Sequence, residues 1–253
     1  MNSIIILNWN TSDLVINLLK SMIQNTSSLM EVIVVDNGSK VDETKKLTDF
    51  FDSTKCDSIL LKLSFLEKNI GFGAGNNVAL NQVFTDAKNV IFINSDILIE
   101  EKDWDLKFNK ILEPKDIAIV GCAYHPLTWD KNANFKIHPK VAEPVASETV
   151  QGAFFAIKKS VLDKIKIEDG CWFDENFKFA QYEETDLQLR IIERGFKCVW
   201  FSCAHQHLHN SSATKKNGYN LSEDIKNINE FKANAEKNKQ LLIKKHKTFF
   251  ESK

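Results

Sequence analysis

Long apolar runs and an excess of charge of either sign are both absent from the sequence. No stretch of about 18 apolar residues occurs, so no transmembrane helix is predicted. Lysine and arginine total 33, and aspartate and glutamate total 34, which leaves a net charge of −1. A chain with so little net charge has no overall field that attracts nucleic acid or an anionic membrane. We therefore expect neither a membrane-spanning protein nor a nucleic-acid partner.

Cysteine is scarce, and no pair has the C-x-x-C spacing of zinc or redox sites. The five cysteines are Cys56, Cys122, Cys171, Cys198 and Cys203. Most lie in or beside apolar runs, so buried free thiols in a reducing cytosol are predicted. Residues 3–7 are too short for the apolar core of a signal peptide, and no basic segment precedes them. We therefore expect a cytoplasmic protein.

The first half of the chain alternates strand and helix patterns. Short β-branched runs predict strands, and apolar residues at helical spacing predict helices between them. The predicted strands are residues 3–7, 32–35, 59–65 and 90–93, and the predicted helices are residues 14–23, 42–51 and a segment that follows a glycine-rich loop at 71–75 and ends near 84. This alternation predicts an α/β fold with right-handed crossovers and a mainly parallel central sheet flanked by helices.

Polar clusters follow three of these strands directly, at residues 8–10, 36–39 and 94–96. Ligands of parallel sheets bind beyond the carboxyl ends of the strands. The connectivity therefore predicts that these three clusters meet at one crevice.

The second half is less regular. Strands are predicted at residues 117–123, 150–157 and 199–201, helices around 161–165 and at 185–194, and an extended loop at 124–148. A tail rich in Lys, Asn and Glu begins near residue 221 and predicts one or two amphipathic helices packed on the domain. Its basic segment, residues 244–247, followed by Phe249 and Phe250, either makes peripheral contact with the inner face of the cell membrane or is a solvated helix end.

Seven short motifs occur in an order and spacing that resemble glycosyltransferase family 2, particularly its rhamnosyltransferase-like bacterial members. The motifs are Ile4–Asn10, Val34–Ser39, Asn69–Asn77, Phe92–Asp96, Gln151–Phe155, Phe173–Phe177 and Glu183–Leu187. The resemblance covers roughly residues 1–212 and implies a GT-A-like fold. It implies a nucleotide-binding half at 1–123 and an acceptor-binding half at 124–212, with residues 213–253 left as a helical C-terminal extension.

The same resemblance implies a metal-dependent, inverting glycosyltransferase. Its donor is a nucleoside-diphosphate sugar, with UDP or dTDP as the nucleotide. Its acceptor is a glycan or lipid-linked glycan, and the setting is bacterial surface-polysaccharide synthesis.

Two other kinds of function stay open. A nucleotidyltransferase needs a basic glycine-rich loop after the first strand, and residues 8–12 contain neither glycine nor lysine. A non-catalytic module that binds sugar nucleotides is compatible with the metal motif, because its first position is Asn94 where the family usually has aspartate.

The metal site is expected around Asp96. Resemblance places Asp96 at the last position of the family's D-x-D motif, where it holds Mn²⁺ or Mg²⁺ against the donor diphosphate, with Asn94 and Ser95 beside the donor. A helix N-cap is the alternative role for residues 94–96. The family often places a metal- or phosphate-facing histidine near His207, with His209 as the next candidate.

The donor nucleotide is expected near the first two strands and the glycine-rich segment. By resemblance Asp36 contacts the base or ribose, and Asn8 and Asn10 line the same pocket; turn chemistry is the alternative for Asp36. The remaining donor candidates are Asn69, Gly71, Gly73 and Asn76, for which a simple tight turn is equally open.

The catalytic base is expected at the start of a helix. Glu184 falls on the base position of the family's E-D-x-D segment, and Glu183 is the reserve candidate. The helix N-terminus favours the ionised form that a base requires, although both acids can also simply complement the helix dipole. Three residues are candidates for the acceptor site. Trp172 is either a platform that stacks on a sugar ring or a core residue. Asp174 accepts hydrogen bonds from acceptor hydroxyl groups, and Gly152 borders the site.

Overall fold

The computed structural model describes residues 1–125, 141, 143–179, 181–208 and 213–251. Twelve strands lie in these ranges: β1 (Asn2–Asn8), β2 (Met30–Asp36), β3 (Ile59–Phe65), β4 (Asn89–Ile93), β5 (Ile97–Ile99), β6 (Ile117–Gly121), β7 (Tyr124–His125), β8 (Val145–Ser147), β9 (Thr149–Val150), β10 (Phe154–Lys158), β11 (Lys197–Trp200) and β12 (His205–His207). The helices are α1 (Ser12–Asn25), α2 (Val41–Ser53), α3 (Phe72–Leu80), α4 (Trp104–Ile111), α5 (Lys159–Leu162), α6 (Glu183–Ile192), α7 (Ala213–Lys216), α8 (Ile228–Lys245) and α9 (Lys247–Glu251), with a 3₁₀ turn at Asp163–Ile165.

One eight-stranded sheet forms the centre of the molecule, in the order β3-β2-β1-β4-β10-β6-β11-β8. The strands from β3 to β4 are mutually parallel, and β6 is parallel to β11. β10 runs antiparallel between β4 and β6, and β8 is antiparallel to β11. The predicted α/β fold with a mainly parallel sheet is therefore confirmed.

Helices cover both faces of this sheet because its central strands are apolar on both sides. On one face α1, α2 and α4 pack against Ile4, Val32 and Ile91. On the other, α3, α5 and α6 pack against Ile5, Ile33 and Phe92. β1 and β2 are buried almost throughout, so polar residues are confined to the strand ends.

Several elements differ from the sequence prediction. The expected glycine-rich loop is the start of α3, which begins at Phe72 and has Gly71 before it at φ +93°. The single strand expected at 150–157 is divided into β9 and β10 by Gln151–Ala153. Short β5 and β12, which pair with each other, were not predicted, and neither was α4.

The tail forms the predicted amphipathic helices and packs on the domain. Leu242 of α8 lies in an apolar cluster with Phe177 and Leu189, and Phe249 and Phe250 pack against it. None of the described helices is long and apolar enough to cross a bilayer.

Candidate active site

The ends of β1 and β2 are tied together by a buried polar pair. Asn8 and Asp36 are register partners, and Asn8 Nδ2 donates to Asp36 Oδ2 at 2.6 Å. The other carboxylate oxygen of Asp36 accepts from the Ser39 backbone N–H at 2.8 Å, which closes the turn after β2. Asn8 Oδ1 accepts from both the N–H and the hydroxyl of Thr11. The turn role considered for Asp36 is thus present, and both Asn8 and Asp36 are fully buried.

Asn10 is half-buried beside this pair, in the region after β1 and β2 where the nucleotide pocket is predicted. It has a left-handed backbone, with φ 55°, and its N–H donates to Ser39 Oγ at 2.8 Å. Its side-chain Nδ2 donates to Asn217 Oδ1 at 3.0 Å, so the C-terminal extension reaches this pocket.

The glycine-rich segment is held by asparagines that bond to protein groups. Asn37 Nδ2 donates to Asn69 Oδ1 and to the Gly71 carbonyl, at 3.1 and 3.0 Å. Asn69 Oδ1 also accepts from the Gly71 N–H, and Asn76 Nδ2 donates to the Phe72 carbonyl within α3. The contacts of Asn69 and Gly71 are those of the tight-turn alternative, and Asn76 bonds within α3.

Gly73 serves close packing within the protein. A Cβ at Gly73 would lie 3.4 Å from Phe173 Cβ and 3.7 Å from Glu183 Cβ. Gly73 therefore brings the first turn of α3 against the start of α6, next to the glutamate pair.

The Asn94–Asp96 segment, which follows β4, lies next to His207 of β12. His207 Nε2 lies 3.6 Å from Asp96 Oδ1, because β12 pairs with β5 directly after Asp96. Ser95 Oγ lies 3.2 Å from Thr11 Oγ1, which joins this segment to the pocket after β1. His205 turns its Nδ1 to the Cys203 carbonyl, and His209 lies outside the described residues.

The Asp96 carboxylate oxygen suits Mn²⁺ or Mg²⁺ as a hard ligand, and the His207 imidazole nitrogen lies beside it as a second donor atom. Within the described ranges, no cluster of three or more His, Cys, Asp or Glu side chains is arranged to hold a metal. The residues fit a divalent cation whose remaining ligands come from a bound diphosphate and water, which is how Mg²⁺ is commonly held.

Glu184 lies directly over the start of β10. A Cβ at Gly152 would be 2.5 Å from Glu184 Cγ and 3.0 Å from Glu184 Oε1. The next residue, Ala153, accepts a hydrogen bond of 2.8 Å from the Asn94 N–H through its carbonyl. The Glu184 side chain and the Asn94–Asp96 segment are thus brought to the same edge of the sheet.

Gln188 holds α6 in this position relative to the sheet. It is fully buried one helical turn after Glu184, and its amide forms two hydrogen bonds with the backbone of Val150. Gln188 Oε1 accepts from Val150 N at 2.8 Å, and Gln188 Nε2 donates to Val150 O at 3.0 Å. Gln188 was not among the predicted site residues, since nothing local distinguishes it from a surface glutamine of α6.

The two glutamates have different surroundings. Glu183 is 1% exposed, and its Oε2 has no hydrogen-bond partner among the described residues. Burial, with repulsion from Glu184, raises the pKa of Glu183 well above its usual range. Burial also raises the pKa of the half-buried Glu184 carboxyl, against the lowering effect of a backbone hydrogen bond at the helix start. Helix-end stabilisation of the ionised form, expected from the sequence, is therefore outweighed by desolvation.

Two predicted acceptor residues are occupied by the protein itself. Trp172 is 4% exposed in the apolar cluster beneath α6, with the Lys166 ammonium 4.6 Å from the centre of its ring. The stacking-platform prediction for Trp172 is wrong in this structure, because the ring has no open face. Asp174 is bonded to Lys245 Nζ at 2.7 Å and to the Asn176 N–H at 2.9 Å, so its carboxylate holds the tail helix.

The basic segment of the tail also turns partly inward. His246 is buried, and Lys245 Nζ lies 2.7 Å from Asp186 Oδ1. Lys244 and Lys247 are exposed. Half of the segment predicted to meet a membrane surface therefore contacts the domain instead.

Comparisons with known proteins identify the family and the fold of the chain. The family model described as glycosyl transferase family 2 matches residues 3–173. The chain belongs to this family. The match includes the pocket after β1 and β2, the Asn94–Asp96 segment and Gly152, and it ends before the Glu183–Glu184 pair. No curated protein matches the chain in sequence.

Solved structures share the fold at low sequence identity. The mannosyltransferase PcManGT from Pyrobaculum calidifontis, solved with GDP-Man and Mn²⁺, is 16% identical over 79% of this chain and 53% of its own, with a TM-score of 0.61. TarS from S. aureus is 19% identical over 80% of this chain and 58% of its own, with a TM-score of 0.57. Glucosyl-3-phosphoglycerate synthase from Mycobacterium tuberculosis, solved with Mg²⁺ and UDP, is 13% identical over 82% of this chain and 71% of its own, with a TM-score of 0.53.

Identities this low establish the fold alone, and that fold is the expected GT-A-like one. The chain spans little more than half the length of the first two structures.

Proposed function

We propose that this family 2 member is a glycosyltransferase that moves a sugar from a nucleoside-diphosphate sugar to a hydroxyl group of a glycan. The observation that carries the proposal is the placement of Glu184 against Gly152, one residue from the Ala153 carbonyl that holds Asn94. A carboxylate able to take a proton and a segment able to hold a diphosphate thus share one edge of the sheet.

In the proposed reaction the acceptor hydroxyl attacks the anomeric carbon in a single displacement. Its oxygen forms the new glycosidic bond while the bond between the anomeric carbon and the phosphate oxygen breaks. The proton passes to Glu184, and the nucleoside diphosphate leaves, with inversion at the sugar. A base works best when its pKa lies near the working pH, so the raised pKa of Glu184 suits this role.

Glu183 is the weaker candidate for the base. Its side chain is more deeply buried than that of Glu184, and burial together with repulsion from Glu184 raises its pKa well above the usual range. A buried carboxyl that favours its protonated form is poorly suited to accept the acceptor's proton, so we propose a structural role for Glu183 at the start of α6.

Asp96 and His207 are the residues we propose to hold Mn²⁺ or Mg²⁺. A divalent cation bound there neutralises charge on the leaving diphosphate as a Lewis acid. With Asn94 in place of aspartate, the protein supplies one carboxylate to this site, so tight metal binding requires the diphosphate. PcManGT was solved with Mn²⁺ and the mycobacterial synthase with Mg²⁺, which supports a divalent cation at this site.

The pocket after β1 and β2 is our proposed nucleotide site. Asn8 and Asp36 form its buried floor, and they orient Asn10 and Ser39, which are half-buried and can reach a ligand. UDP or dTDP is the nucleotide that we propose. Of the similar solved structures, the mycobacterial synthase contains UDP and PcManGT contains GDP-Man. A rhamnosyl or hexosyl donor, a glycan or lipid-linked acceptor and a role in bacterial surface polysaccharide complete the proposal, on family resemblance. We propose residues 213–253 as an extension of the 1–212 catalytic domain.

A non-catalytic sugar-nucleotide-binding module is the second candidate. The single carboxylate of the Asn94–Asp96 segment favours it, since loss of a metal ligand is one way to lose turnover.

Thermal-shift measurements with UDP, dTDP and GDP, each with and without Mn²⁺, test the nucleotide site. A ligand that binds the native state raises the melting temperature by mass action. We expect one nucleotide to stabilise the protein more strongly with Mn²⁺ than without it. Release of nucleoside diphosphate from the matching sugar nucleotides then separates the two candidates. Turnover in the wild type that is lost in Glu184→Gln supports the enzyme. Binding without any turnover supports the non-catalytic module. No stabilisation by any of the three nucleotides contradicts both.

A further inference from the structure

Helix α8 holds the turn that leads into the catalytic helix. In its described part this turn consists of Lys178, Phe179, Gln181 and Tyr182, and we name it the pre-helix turn. The buried Asn238 of α8 donates through Nδ2 to the Lys178 carbonyl at 3.1 Å and to the Gln181 carbonyl at 3.2 Å. Asn234, one turn earlier, donates to the same Lys178 carbonyl at 2.8 Å.

The pre-helix turn has a backbone that needs outside support. Phe179, Gln181 and Tyr182 have φ angles of 60°, 77° and 77°. Residues other than glycine rarely adopt this left-handed backbone conformation. Such a strained backbone persists only where the surrounding contacts enforce it. On the side away from α8, the Phe179 carbonyl accepts from the Phe72 N–H at 3.2 Å. The pre-helix turn is therefore hydrogen-bonded to α3 on one side and to α8 on the other.

A second attachment lies just beyond the two glutamates. His246, 2% exposed, has Nε2 3.0 Å from Asp186 Oδ1 and Nδ1 2.9 Å from Glu193 Oε1. Lys245 Nζ bridges Asp186 and Asp174, at 2.7 Å from each. The other oxygen of Asp186 accepts from Arg190 Nε at 2.9 Å. The first turn of α6 is thus anchored to the end of α8.

Glu183 and Glu184 lie between these two attachments, followed by Thr185. Tyr182 precedes them and accepts the first backbone bond of α6, from the Asp186 N–H at 2.8 Å. Asp186 follows them and contacts the end of α8. On the sheet side, Gln188 holds the helix to Val150. A shift at either attachment therefore moves the Glu184 carboxylate relative to Gly152.

We propose that α8 is a positioning element for the catalytic base, with Asn238 and His246 holding the start of α6 so that Glu184 stays over Gly152. This inference rests on the proposed function for its kinetic consequence. It assigns a mechanistic role to the C-terminal extension, beyond the residues that the family model matches.

Positioning and general stabilisation differ in what they do to the kinetics. Displacement of a catalytic group by about 1 Å can cost on the order of 10²-fold in rate. Neither Asn238 nor His246 contacts Asp36, Asn8 or Asp96 in the described hydrogen bonds. Loss of positioning therefore lowers kcat and leaves nucleotide affinity unchanged.

The test compares Asn238→Ala with Gln240→Ala. Gln240 lies on the exposed side of α8, and its amide bonds to Glu236 within the helix, so it matches the loss of an amide without touching the turn. Hydrogen exchange of amides 183–187 is measured in both full-length proteins, together with kcat and the Kd for UDP, dTDP or GDP, whichever stabilises the wild type. We expect faster exchange and about a tenfold or larger loss of kcat in Asn238→Ala alone, with unchanged Kd.

Equal exchange in the two variants overturns the positioning role, and so does an unchanged kcat in Asn238→Ala. If the wild type turns over no sugar nucleotide, the proposed function is contradicted. The comparison of hydrogen exchange between Asn238→Ala and Gln240→Ala still decides whether α8 positions the start of α6. If Asn238→Ala does not fold, Asn234→Ala serves in its place, since it removes one of the three bonds to the turn. A positioning role then predicts a smaller change in exchange and kcat, and no change in either overturns it.

Discussion

Glu184 lies so close to Gly152 that a β-carbon at position 152 would be 2.5 Å from its Cγ. Real β-carbons do not approach other atoms this closely, so a side chain at position 152 excludes the observed position of Glu184. Residue 152 therefore determines where the proposed base can lie.

Gly152→Ala should lower kcat by about 10- to 100-fold, because the methyl group displaces the Glu184 carboxylate from its place beside Ala153. Steady-state kinetics with the sugar nucleotide found by the nucleotide screen provide the measurement, with nucleotide Kd expected to stay constant. Gly195→Ala is the control: position 195 has open space around it but a φ of 84°, so we expect a lower melting temperature and normal kcat. An unchanged kcat in Gly152→Ala would place Glu184 outside the reaction.

Glu184→Gln should lower kcat by about 10²- to 10⁴-fold, the usual contribution of a general base, because the amide cannot take the acceptor's proton. Nucleotide binding with Mn²⁺, measured by calorimetry, should be retained. Retained turnover together with retained binding would mean that another group accepts the proton.

Glu183→Gln should make stability less dependent on pH. The folded-state pKa of Glu183 is raised well above its ordinary value of about 4.3, so folding favours the protonated form. The wild type is then most stable below about pH 4.3 with respect to this group, and it loses stability as pH rises toward the folded-state pKa.

The variant has no proton to lose at position 183, so its unfolding free energy in urea should fall less between pH 5 and pH 8. Gln240→Ala, on the exposed side of α8, should keep the wild-type slope. Identical slopes in Glu183→Gln and wild type would show that Glu183 is ionised in the folded protein.

Asp96→Asn and Asn94→Asp should change Mn²⁺ affinity in opposite directions. The first removes the carboxylate beside His207, and the second adds a carboxylate to a segment that has one. Affinity for hard cations follows the number of charged ligands, so we expect loss of Mn²⁺ binding in Asp96→Asn and about tenfold tighter binding in Asn94→Asp. Titration of Mn²⁺ in the presence of UDP, followed by electron paramagnetic resonance, measures both, and unchanged affinity in Asp96→Asn would move the metal elsewhere.

His246→Gln should remove a pH-dependent part of the stability. Burial alone lowers the pKa of His246, but hydrogen bonds and charge from Asp186 and Glu193 outweigh it, and the pKa lies above its ordinary value of about 6.5. Lys245 and Arg190 also contact Asp186, so they share its charge with the imidazolium. The stabilisation is fully present below about pH 6.5 and is lost as pH rises through the folded-state pKa.

The melting temperature of the wild type should therefore fall more steeply above pH 6.5 than that of His246→Gln. Lys244→Ala, which removes an exposed charge from the adjacent turn of α8, should keep the wild-type dependence. Equal pH dependence in His246→Gln and the wild type would mean that the buried ring is neutral throughout.

Local pattern was enough to predict the strands and helices from β1 to β4. β1, β2 and β4 are short apolar runs, and the helix after β1 has helical apolar spacing, so burial alone selects these elements. Parallel connectivity then places Asn8, Asp36 and Asn94 at one edge of the sheet, since each ends or follows a strand that runs in the same direction.

Tertiary structure decided what the sequence pattern left open. Trp172 and Asp174 have the residue types of an acceptor site, but packing beneath α6 buries the first and an ion pair with Lys245 occupies the second. The joining of His207 to Asp96 depends on a two-stranded sheet between segments about 110 positions apart, and no local signal encodes that pairing.

The sequence by itself determined the strand and helix order and the edge of the sheet at which polar residues collect, because hydrophobic period and chain direction are local properties. Only the tertiary structure decided that Glu184 lies over Gly152 and that α8 supports the turn before it. Those contacts depend on steric fit and hydrogen bonds between residues far apart in the chain.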